Sequence, residues 1–222
     1  MTEYKNYYLV GRTTGMNDRM TQMMSYVHKA RLLGLELEVH WPVTPECPGH
    51  FLDNFEPIPE VSFVSGYRPY DTGKCTSDYT DLDTVGRLAV ELIFARTHIR
   101  DEVDRQKNEL GDRYIAVQVR TTDHNNFNPL SYYFDRLDGT SLPIFLATDA
   151  AGVQRAFTER YGDRVKYEPI IPSGAFRQTS LSRAVCDWGV CIDATGFIGC
   201  KLSGFAKFIY RFRENNLEGR RL

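Results

Sequence analysis

No stretch of this 222-residue chain is apolar for anything near the roughly 20 residues that cross a bilayer, so no spanning helix is expected. The opening "MTEYKNYYLV" lacks a basic segment followed by an apolar one, which argues against a secretory signal. Cysteine is scarce. Cys47, Cys75, Cys186, Cys191 and Cys200 are odd in number, dispersed and without a CxxC pair. That pattern speaks against a disulfide framework or a zinc site, and for reduced thiols in a cytoplasmic setting. A surplus of one charge is also missing: 27 basic residues face 29 acidic ones, for a formal charge of −2. A broad nucleic-acid footprint is therefore not expected, although a local basic patch, and with it nucleic acid as a partner, stays open. What remains is ordinary for a globular protein, with 42% hydrophobic and 25% charged residues and ample length to bury a core.

The chain alternates strand-like and helix-like patterns. "KNYYLV" (5–10) reads as a strand, and Met20, Met23, Met24, Val27 and Ala30 recur at helical spacing between Asp18 and Leu33. Gly34 is placed to end that helix. "LELEVHW" (35–41) alternates as a second strand, a proline-rich loop with at most a short helix follows, and "VSFVS" (61–65) is a possible third strand. The segment from Tyr79 to Leu110 reads as one long helix or two in tandem, with Asp81 or Asp83 as its cap and Gly111 as its end. Beyond it come "RYIAVQV", a helix near 128–137, "PIFLAT", a helix near 150–160, "RVKYEP", a helix near 178–193, "GFIG" and a last helix from Ser203. Such alternation implies α/β architecture with parallel sheets covered by helices. The natural division falls near residue 110. Residues 1–110 and 111–222 then form two Rossmann-like halves facing a cleft.

Three of the expected strand ends carry polar clusters, and parallel sheets bind ligands at such ends. In "GRTTGMNDRM" (11–20), Gly11 and Gly15 allow close backbone approach at a helix start, which favours an anion; a plain tight turn explains them equally well. The glycine spacing is not that of a P-loop. In "QVRTTDHNN", Arg120 has the planar fork suited to a phosphate, Asp123 is placed to orient it or act as a base, and His124 is readily tuned near neutral pH. Each is also explained as a solvated side chain or a weak ion pair. In "GFIGCKLSGFAKF" (196–208), Ser203 is either a helix N-cap or, with the N–H groups of Gly204 and Phe205, a holder of a phosphate oxygen. Asp149, after "FLAT", suits helix capping. Asp187 sits inside the apolar helical stretch "LSRAVCDWGVC", where a carboxylate needs a partner. Trp188 and Phe205 suit a core.

Together these clusters resemble the fucosyltransferase superfamily of α-1,6-fucosyltransferases, nodulation fucosyltransferases and protein O-fucosyltransferases. Its first motif, Gly-Gly-x-Gly-Asn-Arg followed by helix, strand and Trp, is similar to "GMNDRMTQMMSYVHKARLLGLELEVHW"; Gly15 and Arg19 match, with Asn17 and Asp18 where the family has Gly-Asn. The second, His-x-Arg-x-x-Asp, is similar to "QVRTTD", with Gln118 in place of histidine. The third resembles "SRAVCDWGVCIDATGFIGCKLSGFAKF", and "HFLDNFEP" and "FLATD" match in position and character.

The resemblance implies a compact, minimal version of the GT-B-like fold, with residues 1–110 on the acceptor side and 111–222 binding a nucleotide-sugar donor. It implies a glycosyltransferase that moves a fucose-like sugar from a GDP-linked donor, as co-substrate and with no cofactor or metal, to an acceptor hydroxyl. That acceptor could be a glycan, a lipid-linked sugar, a protein hydroxyl or a modified nucleobase. Arg120 would hold the β-phosphate, Ser203 with Gly204 and Phe205 would add a phosphate contact, and Gln118 and Asp187 would meet the base. Gly15, Asn17 and Arg19 would complete the donor site. Where the best-known members carry a catalytic Lys and Glu this chain has His124 and Asn128, so Asp123, His124 and Asp18 share the candidacy for general base. The alternative is an inactive nucleotide- or glycan-binding protein of the same fold.

Overall fold

Two parallel sheets carry the fold. The computed structural model describes residues 6–9, 15–64, 81–121, 128–171, 179–200 and 202–216, and the side chains of all of these except 6–9. The chain divides into two compact units. One comprises Met1–Arg96, Ser180–Ser182 and Tyr210–Leu222, the other Thr97–Thr179 and Arg183–Ile209. Along the chain the first change of unit falls between Arg96 and Thr97. Gly111, with φ of 80°, ends a helix and is not a linker.

In the first unit, β1 (Asn6–Leu9), β2 (Leu37–His40) and β3 (Val61–Val64) pair in parallel, in that order. Helix α1 (Met16–Leu33) buries the expected stripe of Met20, Met23, Met24, Val27 and Ala30, and Gly34 closes it in the left-handed region at φ 63°. After β2, Trp41 meets Phe51 of the short α2 (Phe51–Asn54) edge-on at 5.3 Å, and Phe51 stacks on Phe63 of β3 at 4.1 Å. Asp81 caps α3 (Leu82–Leu92), accepting from the Thr84 N–H at 2.8 Å.

In the second unit, α4 (Thr97–Leu110) precedes β4 (Ile115–Val119), α5 (Leu130–Leu137), β5 (Ile144–Thr148), α6 (Ala151–Tyr161), β6 (Val165–Lys166), α7 (Leu181–Asp193), β7 (Gly196–Gly199) and α8 (Gly204–Asn215). The first residues of α7 and the last of α8 fall within the first unit. The sheet is parallel, in the order β6-β5-β4-β7. Val117, Val119, Ile144 and Leu146 pack on one face with Tyr133 and Leu137 of α5 and Val153 and Phe157 of α6. Successive strand residues face opposite ways, so Tyr114, Ala116 and Gln118 belong to the other face. There the Tyr114 hydroxyl donates to the Val190 carbonyl of α7 at 2.7 Å. Helix α7 lies close on α4: a Cβ on Gly189 would come within 2.6 Å of Val103 Cγ2. Buried apolar chains on both faces are what a parallel sheet requires. They leave the strand ends as the places where polar groups collect.

Candidate functional site

In the second unit the C-terminal ends of β4 and β7 lead into Arg120 and into the Ser203–Phe205 turn, with Gln118 between them. Beyond Gly199 the chain turns into α8. The Cys200 carbonyl accepts from the Ser203 N–H at 3.0 Å, and the Ser203 carbonyl accepts from the Lys207 N–H at 3.0 Å, so Ser203 opens the helix. A serine there ordinarily spends its hydroxyl on a first-turn N–H. This one does not: Ser203 is 2% exposed and its Oγ is buried with no hydrogen-bond partner. A buried hydroxyl without a partner is costly and uncommon. It stands at the positive end of a 12-residue helix, where a bound anion satisfies hydroxyl and backbone N–H groups together.

Gln118, on the last turn of pairing in β4, is tied to the same turn. Its Oε1 accepts from the Cys200 N–H at 3.3 Å, which leaves the amide NH2 as its donor end. Arg120 follows directly and is half-buried. The next residue, Thr121, donates its N–H to Asp149 Oδ1 at the end of β5, a long bond at 3.4 Å. Helix α6 takes Ala150 as its N-cap without a side-chain bond, so the capping expected of Asp149 is not what the helix start uses. The expected base candidates Asp123 and His124 lie outside the described residues.

Asp187 is buried in α7. Arg183, one turn earlier, donates from Nε to Asp187 Oδ1 at 2.6 Å, and from Nη2 to the Glu168 carbonyl at 3.2 Å. Burial still dominates and pushes the Asp187 carboxyl up to about 6, with Arg183 pulling the other way. The neighbouring Cys186 thiol is pushed up to about 12, chiefly by burial, and is inert as a nucleophile at neutral pH. Trp188 is core, stacked on Phe208 at 4.2 Å, with Phe205 tilted against it at 6.2 Å.

The remaining candidates lie in the first unit. Gly15 is the N-cap of α1, Asp18 is exposed in its first turn, and the Asn17 Oδ1 is buried without a partner. Arg19 is fully buried. It donates to the Pro42 carbonyl at 2.6 Å and to Thr44 Oγ1 at 2.8 Å, with its guanidinium 5.4 Å from the Trp41 ring centre. Its evident work is to hold the chain leaving β2. Two pairs escaped the sequence reading. Arg183–Asp187 was signalled only by its i,i+4 spacing. His40 Nε2 and Glu38 Oε1, 2.9 Å apart, were signalled only by alternation along β2. Among the described residues no group of His, Cys, Asp and Glu is arranged to hold a metal ion, and no helix is long and apolar enough to cross a membrane.

By sequence, no family model and no curated protein matches the chain. Solved structures do. NodZ α-1,6-fucosyltransferase soaked with GDP-fucose aligns at a TM-score of 0.69 and 18% identity, over 94% of this chain and 93% of that one. Fucosyltransferase NodZ from Bradyrhizobium aligns at 0.66 and 17% identity, over 93% of each chain. POFUT1 in complex with GDP aligns at 0.63 and 9% identity, over 96% of each. The α/β chain with its two parallel sheets thus shares its fold with these solved fucosyltransferases.

Proposed function

We propose that this protein is a glycosyltransferase that takes a fucose-like sugar from a nucleoside diphosphate donor, GDP-linked by preference, and passes it to an acceptor hydroxyl. The observation that carries the reading is the Ser203 hydroxyl, buried and unpartnered at the start of α8 on the turn that Gln118 holds. Expelling a diphosphate from an anomeric carbon builds negative charge on the β-phosphate while the sugar becomes oxocarbenium-like. Donors fixed where that charge grows stabilise it without reorganising. Arg120 and the Ser203 turn, with the N–H groups of Gly204 and Phe205, are those donors. Because they are cationic and dipolar, the displacement needs no metal in this reading.

Asp187 supplies a buried acceptor suited to the N–H edge of a guanine, and the Gln118 amide supplies a donor for a carbonyl on the same base. The second unit binds the donor and the first the acceptor, and Gly15, Asn17 and Arg19 stay donor-site candidates by the resemblance. A base drawn from Asp123, His124 or Asp18 takes the acceptor proton, and attack opposite the diphosphate inverts the anomeric centre.

Calorimetry with GDP, UDP, ADP, CDP and TDP, beside turnover of GDP-fucose, tests this. Selective GDP binding with GDP release supports transfer, and selective binding without turnover points to the inactive binder. If no nucleotide binds and Arg120→Ala behaves as the wild type, the proposal fails.

A further inference from the structure

The Arg183–Asp187 pair reaches beyond that reading while resting on it. Arg183 is held in place twice over. It donates to Asp187 Oδ1 at 2.6 Å and to the Glu168 carbonyl at 3.2 Å, and its side chain is only 13% exposed. The Glu168 carbonyl is itself anchored by the Gln154 Nε2 of α6 at 2.8 Å. The guanidinium is therefore set by Asp187 on its own helix and by the Glu168 carbonyl beyond β6, and through its Nε it sets the plane of the carboxylate. A planar fork does this where an ammonium would not. One carboxylate oxygen is engaged, and the other keeps its acceptor capacity.

We propose that Arg183 is a positioning residue for base recognition, orienting the Asp187 carboxylate and keeping it ionised so that it accepts from the N–H edge of a guanine base. The charged and titratable groups around Asp187 are Arg183 and Cys186 on its own helix and Glu168 beyond β6, with Glu102 of α4 acting on the same cluster. Among the described residues Arg183 favours the carboxylate, while burial and Glu168 oppose it. Guanine recognition then fails as Asp187 takes a proton, because a neutral carboxyl bound by Arg183 is a poorer acceptor. Removing the guanidinium moves that failure to higher pH.

The test is GDP binding by calorimetry from about pH 5 to about pH 9 for the wild type, Arg183→Met and Arg183→Lys, with folding of each checked by thermal melt. The phosphate of the ligand titrates alike in all three, so differences between proteins report the protein group. Wild-type affinity is expected to rise through the region near 6. In Arg183→Met the midpoint moves up by about one to two units, the effect of losing one close opposite charge, and affinity at neutral pH falls by about twofold to tenfold accordingly. Arg183→Lys keeps the charge but loses the fork, and lands between the two. Should Arg183→Met fail to fold, the lysine variant decides by the same shift. GDP binding with the wild-type midpoint in the folded variants would overturn the role of Arg183 alone. A wild type that binds no GDP at all would instead overturn the donor-site reading and this inference with it.

Discussion

Replacing Asp187 by asparagine is expected to separate stability from binding. Burial lifts the carboxyl from 3.8 to about 6 even with Arg183 beside it. Over that interval the native chain keeps a proton that the unfolded chain has released. Stability therefore falls as pH rises from about 4 to about 6, and stays lower above it. At about 1.4 kcal/mol per pH unit, the interval amounts to about 3 kcal/mol at neutral pH. The amide preserves size and an acceptor for the Arg183 Nε, but it has no charge to desolvate. Denaturant unfolding of both proteins, at about pH 4 and about pH 7.5, reads the difference, since every other group titrates in both and cancels. The comparison is expected to move in favour of D187N by about 2 kcal/mol between the two conditions, while GDP affinity at neutral pH falls. A stability gap independent of pH would refute the reasoning, because it would mean that Asp187 is not ionised at a cost.

Three further substitutions probe neighbouring steps. Ser203→Ala deletes a buried hydroxyl that bonds nothing, so melting is expected to be unchanged or raised, while nucleoside diphosphate affinity falls about tenfold, the worth of one charge-assisted bond; a large loss of stability would contradict the unpartnered state. Gln118→Met removes the acceptor for the Cys200 N–H, and calorimetry is expected to show weakened binding of GDP and of pyrophosphate alike if the turn is displaced; loss confined to guanine selectivity would assign Gln118 to the base alone. Gly189→Ala places a methyl group within 2.6 Å of a Val103 methyl, and thermal unfolding is expected to reveal a loss of about 1–3 kcal/mol from overpacking between α4 and α7.

Much of the architecture was legible because its signals were local. The methionine stripe of α1, the Asp81 cap and the Gly111 stop each need only a few neighbouring residues to be read. Elements set by distant contacts were not. The residues between α3 and α4 hold neither glycine nor proline, yet the helix breaks there. The break is held by the Phe55–Ala95 bridge, by the Glu56 N–H donating to the Phe94 carbonyl at 2.8 Å, and by the Arg96 N–H donating to the Asn54 carbonyl at 2.9 Å. Likewise "RVKYEP" yields only two strand residues, because the Gln154 side chain takes over the backbone groups of Glu168 and Ile170 that a longer ladder would use. At the site, residue types at strand ends could be read from the chain, but pairing could not. Nothing in the serine itself tells that its hydroxyl is left without a partner. It is seen only in the folded chain, where Ser203 is buried at the start of α8.

The position of β7 beside β4 also bears on how the protein is made. β4 is bordered by β5 on one side and by β7 on the other. The strand that completes its second edge emerges from the ribosome much later, as the 82-residue span between Gln118 and Cys200 indicates. Until then a nascent chain displays an apolar strand with one unpaired edge, the kind of template on which neighbouring chains on a polysome pair wrongly. Yield in a heterologous host is therefore expected to depend on translation rate and chaperone supply across that interval, and fragments ending before Gly196 are expected to be insoluble.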